Sequence, residues 1–262
     1  TATTNSSQTY HAIVFEEEDT LNFLPKMFSE PEGYEFSDHI IFGVSDEAKS
    51  KLPQADRIGN TYVELLSASK GNGSANFPQD NDGVIRRAPT AIYFDGADHV
   101  YPSLVMSAVI DILGIKKDGG FDYDFKNNVL NLIDTTDTVV RTIPIDDNGR
   151  MYVNYFGKFQ TFYYLPYSYC MDPEMLPPDY WEGKVAFVGA SLPGLMDLRN
   201  TPVQETFAGV EIHANVMHSI LQNDFVLVKD NVSTFYSILL LCMVIGILIS
   251  FPKKPFYALP LP

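Results

Sequence analysis

Cysteine is nearly absent. The 262 residues hold two, Cys170 and Cys242, too few for a disulfide framework. Basic residues are also scarce, with 18 Lys plus Arg against 33 Asp plus Glu and a net charge of −15. A chain this acidic repels phosphate backbones and anionic membrane surfaces, which argues against general nucleic-acid binding. Long repeats are missing as well. Hydrophobic residues make up 45% of the chain and charged residues 19%, so there is material for a real core and global disorder is excluded. The length suits one large domain or two ordinary ones.

What is present is one uncharged apolar run. Phe235 to Phe251 holds 17 residues without a charge, about 25 Å of helix at 1.5 Å per residue, and Val232 to Thr234 extend it to a full bilayer span. Acids end at Asp230. The first 230 residues carry −17, and only Lys253 and Lys254 follow, adding +2. Lys residues just after a span stay in the cytoplasm. The expected division is therefore residues 1–230 outside the cytoplasmic membrane, 231–251 crossing it, and 252–262 as a cytoplasmic loop leading into a second apolar segment. A start at Thr1 without Met, and an end inside that segment, read as a piece of a larger membrane protein.

Turn signals and apolar runs predict a mixed α/β domain ahead of the span. Tyr10 to Phe15 and His39 to Val44 are short apolar runs, the second read as a buried strand. Leu21 to Phe28 suggests a helix interrupted by Pro25, and Tyr62 to Ala68 fits helix or strand. Strands are expected over Val84 to Arg87 and Thr90 to Phe94, with a turn at Asp95-Gly96. Pro102 to Gly114 predicts a helix with Leu104, Ala108 and Ile112 spaced by four and Gly114 as its stop. Val129–Ile133, Val139–Ile143 and Met151–Tyr155 read as strands. Residues 156–182 are rich in aromatics and Pro, an ordered loop with a short helix around Ser168 to Asp172. Gly183 to Gly189 reads as a central buried strand, since no polar residue alternates within Val185–Val188. Gly209 to Leu221 is the clearest helix.

Catalytic and metal motifs fail when tested residue by residue. Asp80-Asn81-Asp82-Gly83 and Asp146-Asp147-Asn148-Gly149 resemble calcium loops. Placing either Gly at position 6 puts Pro at position 1 and Pro89 or Tyr155 at position 12, where Glu is required. Both read as turns. After the strand ending at Gly189, Leu195 stands where a phosphate loop needs Lys, Ser191 where a dinucleotide fingerprint needs Gly, and Pro193 where a nucleophile elbow needs Gly. His213 and His218 are five apart and turn to different sides of a helix. No metal, no cofactor and no catalytic residue is implied. One constellation remains, a loop at a strand end beside a helix start, the usual place for a ligand crevice. It carries Ser191, Asp197, Arg199 and Thr201 on the loop and Glu211, His213 and Asn215 on the helix. Glu211 and Asn215 share one face, where they serve either a ligand or capping and packing.

The same residues resemble a family. Asp80 to Pro89 resembles its D-x-D-G-hydrophobic-x-R-R-x-P signature, and Tyr101-Pro102-Ser103-Leu104 the helix start that follows. Ile143 to Gly149 with Val153 to Gly157 resembles the next block. Gly183 to Ala190, Asp197, Thr201-Pro202 and Gly209-Val210-Glu211-Ile212-His213-Ala214-Asn215 resemble the last. These blocks, in order over residues 80–222, are similar to the CHASE sensor family, type two. The resemblance implies an extracytoplasmic input domain, followed by membrane spans and a cytoplasmic effector, commonly an adenylate or guanylate cyclase and otherwise a kinase, in a bacterial cytoplasmic membrane. It implies a homodimer and a small-molecule ligand, and a leading span, strand, helix and strand that have no counterpart here. Two other readings stand beside it: a membrane-tethered assembly module that packs through residues 156–181, and an extracytoplasmic hydrolase, which the failed motifs disfavour.

Overall fold

The computed structural model describes residues 8–16, 39–59, 62–172, 174–177, 179–191, 198–228 and 231–250. The chain divides into two units, Thr1–Val226 and Leu227–Pro262. The first contains, in order, β1 (Tyr10–Ile13), β2 (Phe15–Glu16), α1 (Asp46–Lys51), β3 (Gln54–Ala55), β4 (Arg57–Ile58), α2 (Val63–Ala68), β5 (Gly71–Ser74), β6 (Arg87–Pro89), β7 (Ala91–Phe94), β8 (His99–Pro102) and α3 (Leu104–Leu113). It continues with β9 (Phe121–Asp124), β10 (Val129–Ile133), β11 (Val139–Pro144), β12 (Arg150–Tyr152), α4 (Tyr167–Cys170), β13 (Leu198–Arg199), β14 (Phe207–Ala208) and α5 (Gly209–Gln222).

The fold is α/β, with its strands divided among six small sheets among the described residues. β1 and β5 pair parallel, as do β3 and β7, while β7–β8 and the meander β9–β10–β11 are antiparallel. The β7–β8 turn uses Asp98 in the left-handed region, with φ 54°, a conformation that Asp tolerates better than most residues. Helix α3 begins where the Ser103 hydroxyl accepts the Met106 N–H at 3.3 Å and ends at Gly114 with φ 66°, a start and stop that need these residue types. Its buried residues run from Val105 through Ile110, Ala108 among them, and Ile112 is exposed. Of the evenly spaced Leu104, Ala108 and Ile112, Ala108 is buried while Ile112 turns outward. A helix this apolar does not fix its own phase, and Asp111 must face Tyr10, whose hydroxyl donates to it at 2.5 Å.

Two clusters form the core. The larger joins Val105, Met106 and Val109 of α3 with Leu130, Leu132, Ile143, Met151 and the α5 residues Ile212, Val216 and Ile220. The smaller gathers Ile13, Phe15, Ile58, Phe94 and Tyr101. His39 to Val44 supplies buried Ile40, Ile41 and Val44 but among the described residues pairs only through single bridges, Ile41 with Val100 and Phe42 with Asp118. The ambiguous stretch from Tyr62 to Ala68 resolves as helix over Val63–Ala68. The helix expected over Leu21 to Phe28 lies outside the described residues.

Two strand expectations are overturned, the first being Val84 to Arg87, where the strand runs over Arg87–Pro89 instead. Gly183 to Gly189 is not a buried central strand: it belongs to no sheet, and Val185 and Val188 are 47% and 82% exposed. Apolar, β-branched composition favours a strand, but a strand also needs a neighbouring backbone to pair with. None among the described residues provides one.

The second unit contains α6 (Asn231–Ser250). Its 18 residues from Ser233 to Ser250 have a mean hydropathy of 2.2 and none is buried, so the helix is long and apolar enough to cross a bilayer.

Candidate functional site

Two acidic turns are brought side by side because β6 pairs antiparallel with β12, setting Arg87 opposite Tyr152 and Pro89 opposite Arg150. In the first turn Gly83 has φ 78° and its N–H reaches the Asp80 carbonyl at 2.8 Å. The acids are engaged by arginines. Arg86 donates two bonds to Asp82, at 2.9 and 2.7 Å, and one to Asp80 at 3.2 Å. Arg87 bridges the turns, bonding Asp80 through two nitrogens and Asp146 at 2.8 Å. Arg150 grips Asp146 from within the second turn, with Nε at 2.9 Å. Burial alone would raise the carboxyls of Asp80 and Asp146, but their hydrogen bonds to Arg86, Arg87 and Arg150 and to backbone N–H groups hold both below the usual carboxylate range. Asp82 is held down to about 2 by Arg86. An open groove of about 400 Å³ lies over these side chains. Among the described residues no three His, Cys, Asp or Glu are arranged to hold a metal.

This network ties to the loop ahead of α5. Ile85 donates its N–H to the Asn200 carbonyl at 2.8 Å, and its own carbonyl accepts the Tyr155 hydroxyl at 2.9 Å. Thr201 closes the loop: its hydroxyl donates to the Gln204 carbonyl at 2.9 Å and accepts the Gln204 N–H at 3.2 Å. The pairing of β13 with β14 sets Arg199 opposite Phe207, just before the helix start. Ala208 provides no side-chain cap, so the first N–H groups of α5 are uncapped by side chains. Ser191 is half-buried. Asp197 lies outside the described residues.

The helix residues are engaged by the chain itself. Glu211, 2% exposed, accepts the N–H groups of Gln160 at 2.9 Å, Thr161 at 3.0 Å and Phe162 at 3.4 Å, and the Tyr164 hydroxyl at 3.0 Å. Asn215, on the same face, accepts the Phe156 N–H at 3.0 Å and donates to the Glu211 carbonyl at 2.7 Å. Together they hold the aromatic loop 156–164 along α5. His213 points elsewhere, with its ring centroid 4.4 Å from that of Phe77 and stacked within 13° of Phe187. Burial pushes its imidazole down to about 4. His218 meets Phe156 and Phe162 edge-on. Gly189 presses on the helix start, where a Cβ would lie 2.8 Å from that of Val210.

Two features escaped the sequence reading: the Arg partners of the acidic turns, and the use of Glu211 as an anchor for a loop fifty residues away. The first had a signal. Both turns place Arg four residues after an Asp, Asp82–Arg86 and Asp146–Arg150. The second had none, because side chains that cap a distant loop follow no local pattern.

The blocks that carry this architecture also carry a family match: the CHASE2 domain matches residues 12–249. The chain belongs to the CHASE2 domain family. CHASE2 domains are extracytoplasmic sensory input domains. Comparison with curated proteins and with solved structures returned no match. Within this CHASE2 domain the D-x-D-G…R-R block is the ion-pair network, the P-S-L block is the cap of α3, and the G-V-E-I-H-A-N block is the α5 surface that holds the aromatic loop.

Proposed function

We propose that this CHASE2 domain is the input half of a transmembrane receptor, with residues 1–230 outside the cytoplasm of a bacterial cell, 231–251 crossing the membrane and 252–262 inside. The observation that carries the reading is the match over residues 12–249, which runs from the sensor elements into the apolar helix at 233–250. The effector is a cytoplasmic adenylate or guanylate cyclase outside these residues, and the receptor acts as a homodimer. The ligand is small and polar, neutral or zwitterionic. It meets the chain at the loop that carries Ser191, Asp197, Arg199 and Thr201 in sequence, ahead of the uncapped start of α5, whose N–H groups favour a carboxylate or a carbonyl oxygen. Glu211 and Asn215 support the site indirectly by holding the loop 156–164, and His213 by packing against Phe187. Binding there bears on α5, which the chain joins to α6 within nine residues, and a ligand that prefers one arrangement of α5 shifts its population.

The test is a thermal-shift screen of amino acids and small polar metabolites on the full chain in detergent micelles. Hits are repeated on Arg199→Ala and Ser191→Ala. A ligand at a hundred times its dissociation constant stabilises by about 2.7 kcal/mol, a shift of roughly 5–10 °C. A hit that keeps full affinity in both variants places the site elsewhere. Sequence beyond the span that encodes neither a cyclase nor a kinase would overturn the receptor reading.

A further inference from the structure

Every residue that lines the groove over the two acidic turns is a described one. Arg86, Arg87 and Arg150 line it together with Asp80 and Asp82, and the neutral amides Gln79 and Asn81 complete it. Each guanidinium carries five N–H donors. Arg86 and Arg87 spend three each on Asp80, Asp82 and Asp146, and Arg150 spends two on Asp146. All three therefore keep donors beyond their ion pairs. The acids have less left to offer. Asp146 is saturated: one oxygen accepts the N–H groups of Asn148 and Arg150, both at 2.9 Å, and the other accepts Arg87 and Arg150. Asp80 takes Arg87 twice on one oxygen and Arg86 on the other. Asp82 is the open one. Its side chain is 54% exposed and its Oδ2 takes a single bond, from Arg86 at 2.7 Å.

We propose that this groove binds a small hydroxy acid or amino acid, with its carboxylate on the unspent N–H groups of Arg86, Arg87 and Arg150 and its hydroxyl or ammonium group on Asp82. Hydrogen-bond arithmetic selects the carboxylate. A lining with more donors than acceptors calls for a ligand that brings acceptors, and a planar carboxylate fits the guanidinium fork. Charge limits the ligand to one such group. The three Arg balance Asp80, Asp82 and Asp146, so the cluster is neutral within a chain at −15, and a dianion such as phosphate is repelled by the rest of the molecule. The ion pairs also fix the guanidinium groups in advance, which lowers the entropy lost on binding. The volume of about 400 Å³ is in the range of small-molecule sites. This is a second site, and it does not rest on the crevice proposed at α5. One peptide links the two. Ile85, next to Arg86, donates to the Asn200 carbonyl at 2.8 Å, and the Arg86 carbonyl accepts the Val153 N–H at 2.9 Å. An occupant that holds Arg86 therefore bears on the loop ahead of α5.

The test is titration calorimetry on the full chain in neutral-detergent micelles, at ionic strength matched with sodium chloride. The probes are propionate, lactate, alanine and inorganic phosphate. Propionate offers the carboxylate alone, while lactate adds a hydroxyl and alanine an ammonium group at the same carbon. The expected result is binding of lactate or alanine, the better of the two naming the group that Asp82 accepts. Propionate and phosphate should bind at least tenfold more weakly. Arg150→Lys keeps the charge and loses the fork, and should raise the dissociation constant at least tenfold. Arg150 also holds its own turn, so the more exposed Arg86→Gln is the companion variant, with the same expected loss and a melting temperature close to that of the native chain. Arg199→Ala should leave the affinity unchanged. Binding that survives both Arg86→Gln and Arg150→Lys but is lost in Arg199→Ala belongs to the α5 crevice; it overturns this site and leaves that one standing. Phosphate or propionate binding as tightly as lactate and alanine overturns the two-point contact, and no heat from any probe overturns the site.

Discussion

His213 sits between Phe77 and Phe187 with its imidazole pushed down to about 4 by burial. Its ordinary value is 6.5, so between those limits the unfolded chain takes up a proton that the folded chain refuses. Stability is therefore fully present above pH 6.5 and falls by about 3 kcal/mol as pH drops to about 4. His11, also pushed down by burial, adds in the same direction. Asp80 and Asp146 act in a lower window. Their carboxyls are held below 3.8, so their contribution is complete above that value and lost as pH falls through the folded pKa. A single measurement separates the two: melting temperature of the full chain in micelles from pH 7.5 to 3. His213→Phe keeps a ring between the two Phe and should flatten most of the slope between pH 6.5 and 4, while the acid limb below pH 4 stays. An unchanged slope in the upper window would mean that His213 is already charged or hydrated in the folded chain.

At the scale of elements, the connection between α5 and the loop 156–164 is a polar one. Glu211 takes three backbone N–H groups and a phenol, and burial together with the Glu211 carboxylate pushes the Tyr164 hydroxyl up, keeping it a donor. Glu211→Ala leaves those donors without an acceptor. The expected cost is about 3 kcal/mol, a fall in melting temperature of roughly 6–12 °C for a domain of this size, with loss of exchange protection at Gln160 to Phe162. Protection retained in the variant would show that the loop is held by its aromatic contacts instead. The same element shows what local sequence conveys. Gly209 to Leu221 was legible because its apolar face repeats with helical spacing, and α3 because Ser103 and Gly114 mark its ends. Strands β10 and β11 were legible from their short apolar, β-branched composition. Val185 to Val188 was not, because strand formation depends on a partner backbone that no local pattern encodes. Nor was the face of α3, since a helix apolar on all sides is oriented by what packs against it. At the candidate site the sequence brought the α5 residues and the loop before them into one neighbourhood, while the ion-pair network stayed hidden behind two turn signals.

For the whole molecule, charge and hydropathy separate cleanly along the chain. The acidic part ends at Asp230, the helix from Ser233 to Ser250 carries no charge, and Lys253 and Lys254 come next. Moving two Lys across a bilayer is opposed by the bias that keeps Lys and Arg cytoplasmic, so the segment before the span is expected outside. The chain carries its own probe for this. Cys170 ends α4 and is exposed, whereas Cys242 lies within the apolar helix, out of reach of a water-soluble reagent once that helix is in a bilayer. A membrane-impermeant maleimide added to intact cells whose outer surface or periplasm is accessible should therefore label the native chain, and Cys170→Ser should abolish the signal without any other change. Labelling of the native chain that appears only after lysis would place Cys170 in the cytoplasm. The receptor orientation would then be reversed, and the ligand crevice proposed at α5 would sample the cell interior.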